Sequence, residues 1–314
     1  MTKQENTKST NVCYLAYVGA DGPIDNNYKN DLLCQIIEKV SERKVKIVKN
    51  KSEADLILAY PYMAGKISFN LKWIAATIAK KIFGLKDCTW IFRWLIGVGR
   101  QPLLFISHEN LDRPFWWKMF GTFLVSSDVP RLTFWPKQID PRGCRFPYWY
   151  NYVEWTQYPR DQCYSRFGRY YKVTELMSPL VLDSTRLNSV VVVSSHMDHP
   201  RSSLIKHIGD NFKVEIYGSS GIKFNSSKIE LMRKYMFAFC AENSVGYGYD
   251  TEKIPEAWVA GCIPLAINLN PFSDFNPDIL NINPSEPNTF TKTLLLKSEP
   301  SLKEIEEYVK KEFF

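Results

Sequence analysis

The run from Tyr235 to Ala266 constrains the fold more than any other part of the chain. It opens with an apolar segment, Tyr235–Cys240, and passes into a polar loop containing Gly246 and Gly248. A helix start carrying Glu252 and Lys253 follows, and then a second apolar segment from Ile263. Strand, loop, helix, strand is the order of a βαβ unit, because parallel neighbours need a crossover connection. The loop and the helix start then lie outside the carboxyl ends of the strands, where open α/β sheets bind ligands. Thr251 or Asp250 is predicted to cap the helix. Its first turn, with Lys253 beside it, would favour an anion. Pro255 is tolerable so near the helix start.

The rest of the chain repeats the alternation. Strands are predicted at Val12–Val18, Lys44–Val48, Ala54–Tyr60 and Leu103–Ser107. Helical spacing runs through Leu32, Leu33, Ile36, Ile37 and Val40 within Tyr28–Glu42, and again over Phe69–Phe83. From Pro130 to Pro179 periodicity fades and aromatic residues, Pro and Arg dominate, as expected of an ordered connection. The alternation resumes with strands at Asn188–Ser195, Lys213–Tyr217, Tyr235–Cys240 and Ile263–Ile267. Helices are predicted at Pro200–Ile208 and Lys228–Lys234, and a charged helix at Ser301–Phe313. Strands alternating with helices predict parallel sheets covered on both faces. The expected division is an α/β domain over residues 1–160, a second over 161–300 and a terminal helix over 301–314.

A net charge of +7 suits anionic partners, without choosing among a nucleotide diphosphate, a lipid surface and nucleic acid. The seven cysteines are scattered with no Cys-x-x-Cys pair, so free thiols in a reducing compartment are expected. Residues 1–11 are polar and lack the apolar core of a signal peptide. No uncharged apolar run approaches the roughly 20 residues that span a bilayer. A cytoplasmic protein, at most peripheral to a membrane, is expected. His196 and His199 are spaced His-x-x-His, but no further ligand pattern supports a metal site.

The wording of the central run is specific. Glu242-Asn243-Ser244, Tyr247-Gly248-Tyr249 and Thr251-Glu252-Lys253, followed by Ile263-Pro264, resemble the donor-binding motif of glycosyltransferase family 10, the α-1,3/4-fucosyltransferases. The resemblance is strong over 235–266 and weak over about 103–150 and 189–217. It implies a GT-B fold, two Rossmann-like domains facing across a cleft, and an inverting transfer of L-fucose from GDP-fucose to an N-acetylglucosamine-type glycan acceptor. Asn243, Tyr249, Glu252 and Lys253 would then contact the nucleotide sugar, with Glu252 facing the sugar and Lys253 the phosphate. Arg201, after the Val190–Ser194 strand, is expected to add a bidentate phosphate contact. Glu109, at the end of the Leu103–Ser107 strand, is the expected catalytic base, with His108 and Asn110 able to tune it by hydrogen bonding. No cofactor is required; a divalent metal would at most stimulate. Asp250 departs from the family, which usually has Val or Ile there. That departure leaves room for another GDP-deoxysugar or a different acceptor.

Two features sit outside the motif. Tyr148, Trp149, Tyr150, Tyr152 and Trp155 suit either sugar stacking or core packing. Between Lys66 and Arg100 seven cations face a single Asp87, interleaved with Trp73, Ile74, Ile78, Ile82, Phe83, Trp90 and Trp94. This is either an interfacial helix lying on anionic lipid or an amphipathic helix with its apolar side in the core. A non-catalytic membrane- or nucleic-acid-binding protein is favoured by basicity alone. The presence of Glu109 together with Glu252 and Lys253 argues against it, and no nucleic-acid partner is expected.

Overall fold

The structure is a computed structural model. It describes residues 11–20, 28–63, 67–161, 163, 166–195, 197, 201–219, 221–266, 269–282 and 292–314. The chain divides into two compact units. One comprises residues 1–146, 158–161 and 302–314; the other comprises 147–157 and 162–301.

The first unit is built on a six-stranded sheet. Its strands are β1 (Val12–Val18), β2 (Lys44–Ile47), β3 (Leu56–Ala59), β4 (Leu103–Ile106), β5 (Arg131–Thr133) and β6 (Cys144–Arg145). They run in the order β2-β1-β3-β4-β5-β6, and every pairing is parallel. Every residue of β3 and β4 is buried, as central parallel strands covered on both faces require.

Helix α1 (Leu32–Ser41) buries Leu32, Leu33, Ile36 and Ile37. It begins later than its apolar spacing predicts. Tyr28–Asn30 form a separate 3-10 turn, and the Asp31 side chain accepts from Cys34 N at 2.9 Å as the helix cap. Helices α2 (Ile67–Phe83) and α3 (Thr89–Leu95) join β3 to β4. The C-terminal helix, Lys303–Phe313, belongs to this unit and buries Ile305 and Val309. Its Tyr308 hydroxyl accepts from Arg131 N at 3.0 Å, and Glu306 pairs with Lys39 of α1 at 3.2 Å.

The stretch after Pro130, expected to be irregular, contributes β5 and β6 to this sheet. These strands are three and two residues long, too short to display a period of two. One of them also carries a charge inward. The Arg131 guanidinium is buried and bidentate on Asp140, at 2.7 and 2.6 Å.

The second unit holds a four-stranded parallel sheet of β9 (Leu187–Val193), β10 (Val214–Tyr217), β11 (Tyr235–Phe239) and β12 (Ile263–Leu265). The order is β10-β9-β11-β12, so successive connections depart to opposite sides between β9 and β11. A two-stranded pair, β7 (Val153–Glu154) with β8 (Tyr171–Lys172), stands apart from it. Helix α4 (Arg201–Gly209) follows β9, α5 (Lys228–Met232) precedes β11, and α6 (Lys253–Val259) links β11 to β12. The strand–loop–helix–strand order read from residues 235–266 is therefore the order observed.

The two tryptophans of the aromatic strip are core, while Tyr148, Tyr150 and Tyr152 are half-buried. Trp149 is fully buried and donates from Nε1 to Asp274 Oδ2 at 3.0 Å, while Trp155 donates to Tyr150 O at 2.9 Å. Indoles committed in this way have no free face for a sugar.

Candidate active site

The carboxyl ends of β9 and β10 and the start of α6 border a cavity of about 370 Å³ in the second unit. Val193, Ser194 and Ser195 line it from the end of β9, and Gly218 from the end of β10. Gly218 has φ +112°, and a Cβ there would meet Ser194 O at 2.5 Å. Only glycine lets the two strand ends approach so closely. The remaining walls come from Arg201 at the start of α4, Lys228 of α5, and Glu252, Lys253 and Glu256 around the start of α6. Arg166, Tyr152 and Phe224 complete them. Four cations thus meet two carboxylates in one concavity at the switch point of the sheet, a position favoured for ligands.

Three of the expected site residues, Arg201, Glu252 and Lys253, come together here. Arg201 is 9 % exposed, which separates it from an ordinary surface arginine, and it donates to Ser194 Oγ at 3.3 Å. Lys253 is held from behind. Its ammonium lies 2.7 Å from Glu242 Oε2, 2.7 Å from Thr251 Oγ1 and 4.0 Å from Glu252. Burial disfavours the Lys253 charge, but Glu242 and Glu252 outweigh it and raise the pKa above the ordinary lysine value. Burial likewise opposes ionisation of Glu252, yet Lys253 and Lys228 prevail and lower its pKa. Glu256 differs. It is ion-paired with Lys228, but burial dominates and its pKa is raised.

The cap predicted for α6 is not the one observed. The cap position is Glu252, in helical conformation and without a side-chain cap bond. Thr251 instead donates its hydroxyl to Glu242 Oε1 at 2.7 Å, and its N–H reaches the same oxygen at 3.0 Å. Asp250 is buried, and its Oδ2 accepts from Asp274 N at 3.3 Å. It braces the neighbouring loop, which accounts for an acid so close to a cationic cavity.

Tyr249 and Asn243 lie elsewhere on the same loop. Tyr249 lines a second cavity of about 240 Å³, with Leu204, Cys240, Ala241, Glu242 and Ile254 among its walls. Glu242 is shared in effect, since it lines this cavity and anchors Lys253 of the other. Asn243 is exposed, lines neither cavity and accepts from Ser244 Oγ at 3.4 Å. His196, Asp198 and His199 lie outside the described residues.

Glu109 belongs to the first unit and follows β4 at the carboxyl edge of its sheet. The Ser107 hydroxyl donates to its backbone carbonyl at 3.1 Å, which fixes the turn. Of the neighbours expected to tune it, Asn110 is buried and accepts from Asp112 N at 3.0 Å, a role in loop closure. His108 packs edge-on against Phe146, and burial pulls its pKa down to about 4. It is therefore neutral near pH 7 and puts no cation beside the carboxylate.

Four residues of this region escaped the sequence reading as site residues, Arg166, Lys228, Glu242 and Glu256, whereas Tyr152 comes from the aromatic strip that suited either sugar stacking or core packing. Glu256 had a signal, because it follows Glu252 by four residues and so shares its helix face. Glu242 stands inside the motif itself. Arg166 and Lys228 come from segments with no motif, and only the fold brings them in.

Residues 183–283 match the family model described as glycosyltransferase family 10 (fucosyltransferase), C-terminal part. The match spans β9 to β12 and every residue of both cavities except Tyr152 and Arg166. The chain carries a glycosyltransferase family 10 domain. It is accordingly a glycosyltransferase. Its fold is similar over nearly its whole length to that of three solved structures. An α1,3-fucosyltransferase with GDP aligns at 18 % identity and TM-score 0.57, covering 100 % of this chain and 93 % of its own. A second α1,3-fucosyltransferase structure gives 18 %, 0.58, 99 % and 92 %. An α1,3-fucosyltransferase with GDP-fucose gives 17 %, 0.56, 100 % and 94 %. At such identity the likeness concerns fold, and the α/β class is that of GT-B enzymes. No curated protein sequence matches the chain.

Proposed function

We propose that the protein transfers L-fucose from GDP-fucose to a hydroxyl of an N-acetylglucosamine-type glycan, with inversion at the anomeric carbon. The observation that carries this reading is the meeting of Arg201, Glu252 and Lys253 in one cavity, within the family 10 domain.

The donor diphosphate gains negative charge as the C–O bond to fucose breaks. Lys253 and Arg201 neutralise that charge, the ammonium as a point charge and the guanidinium by a two-pronged contact. Fixed cations of this kind do what a bound metal does in other transferases, so no cofactor is needed beyond the donor. Glu252 faces the sugar, where an ionised carboxylate stabilises the positive character that develops on the anomeric carbon. Tyr249 and Asn243 contact the nucleotide; the more apolar cavity beside Tyr249 suits a base.

Inversion is a single displacement. The acceptor oxygen attacks the anomeric carbon opposite the departing GDP, its O–H bond breaks, and Glu109 takes the proton. Base assistance of this sort is worth roughly 10²–10⁴-fold in rate.

The deciding experiment is GDP release from GDP-fucose, with and without a galactosyl-β-1,4-N-acetylglucosamine acceptor. Acceptor-dependent release is expected. Release indifferent to acceptor would reject this acceptor and keep the donor. Release only from another GDP-deoxysugar would reject fucose.

A further inference from the structure

Helix α2 carries Leu71, Ile74, Ile78 and Ile82, spaced by three or four residues and therefore on one side of the helix. In an ordinary amphipathic helix that side is the one buried. Here it is the side left open. These four residues are 64, 48, 53 and 69 % exposed, whereas the side chains that α2 buries include Phe69 and Ala76. Of the two readings open at the sequence level, the core-facing one fails.

The exposed stripe has neighbours of the same character. Lys72 of α2 donates to Trp94 O and lies 5.5 Å from the centre of that indole, so α3 packs alongside. Trp94 and Trp90 of α3 are 43 and 59 % exposed. On the other flank Lys80 donates to Thr122 O, which ties α2 to the helical segment 114–124. A monomer rarely leaves so continuous an apolar strip in water without using it.

Charge identifies what covers it. From residue 56 to 108 the only carboxylate is Asp87, and seven lysines and arginines share that span. Asp87 is occupied locally, accepting from Thr89 N at 2.8 Å and Thr89 Oγ1 at 2.6 Å. Lys81 and Lys86 are exposed beside the stripe. A second copy of the chain would bring identical cations face to face. A bilayer bearing anionic headgroups instead accepts the isoleucines at its interfacial boundary and the ammonium groups at its surface. Tryptophan is at home in the same layer. Among the described residues no helix is long and apolar enough to cross a membrane, so the arrangement is that of a helix lying in the plane.

We propose that α2, with Trp90 and Trp94 of α3, docks this protein on the surface of an anionic lipid bilayer. The proposal is independent of the donor and acceptor assigned above, and its readout involves neither.

The test is co-sedimentation of the full chain with phosphatidylcholine vesicles, with and without phosphatidylglycerol. Binding is expected to be at least about tenfold tighter to the anionic vesicles and to weaken with salt. Ile78→Asp combined with Ile82→Asp should reduce it by roughly tenfold or more, while leaving the thermal midpoint unchanged because both side chains are exposed. Lys81→Glu with Lys86→Glu should weaken anionic binding alone. Absence of vesicle binding, or binding indifferent to either double variant, would overturn the proposal. So would a concentration-dependent dimer, seen by light scattering and removed by the isoleucine variant, in a chain that ignores vesicles.

Discussion

Lys253 and Glu242 form an ion pair of 2.7 Å, and the same carboxylate takes both the N–H and the hydroxyl of Thr251. Glu242 therefore fixes the loop that presents the ammonium, and it keeps that ammonium charged while no ligand is present. Lys253→Ala is expected to weaken GDP binding by about 10- to 100-fold. Isothermal titration would measure it, and unaltered affinity would remove Lys253 from the phosphate site. The pH dependence has a definite sign. Glu252 is lowered, so its contribution holds above the ordinary glutamate value of about 4.3; Lys253 is raised, so its contribution holds below about 10.4. GDP affinity should consequently be flat between about pH 6 and 9 as far as these groups are concerned.

Glu109 is assigned to the proton and not to the donor. Glu109→Gln keeps the shape and the hydrogen-bonding ability but removes the basicity, so transfer should fall by roughly 10²–10⁴-fold. GDP affinity in the same variant should move by less than about twofold, because no donor contact is assigned to this residue. A parallel collapse of GDP binding would show that Glu109 serves the donor or the fold.

Much of this architecture was legible because βαβ units write themselves into sequence. The Val190–Val192 run, the apolar residues of β4 and the 235–266 order each signal one element type by period or by flanking residues. What stayed hidden was decided by contacts between distant segments. β5 is three residues long and includes a buried Arg131, which reads as a loop until Asp140 is seen beside it. The aromatic strip could have been cleft or core, and Asp274, more than a hundred residues away, settles Trp149 by accepting its indole proton. In the same way Lys228 reaches the cavity through its pairing with Glu256, a contact no local pattern announces.

The Arg131–Asp140 pair is almost fully buried on both sides, with side-chain exposures of 1 and 2 %. Arg131 also donates to Ser127 O and Val129 O, so the guanidinium is committed and cannot follow a lost partner outward. Asp140→Ala would strand that charge, at a cost of about 3–5 kcal/mol. Denaturant unfolding of the variant should show a midpoint shift of corresponding size. A change below about 1 kcal/mol would mean that water or a neighbouring carbonyl takes over. Because the pair lies in the first unit, GDP affinity in the folded fraction should be unaffected.

His108 gives the fold an acid-sensitive point. Its imidazole packs on Phe146, and burial holds its pKa near about 4, against about 6.5 for an unfolded histidine. The unfolded chain therefore takes up the proton first. The stabilisation from the neutral ring is complete above about pH 6.5 and is lost progressively as pH falls through about 4. Between pH 7 and pH 4.5 this residue alone should remove roughly 2–3 kcal/mol of stability. His108→Gln, which cannot titrate, should lose correspondingly less over the same interval in paired denaturant curves. Equal losses in the two proteins would mean that the folded chain protonates His108 as readily as water does. The imidazole, next to Glu109 in the chain, would then carry its positive charge already in mild acid.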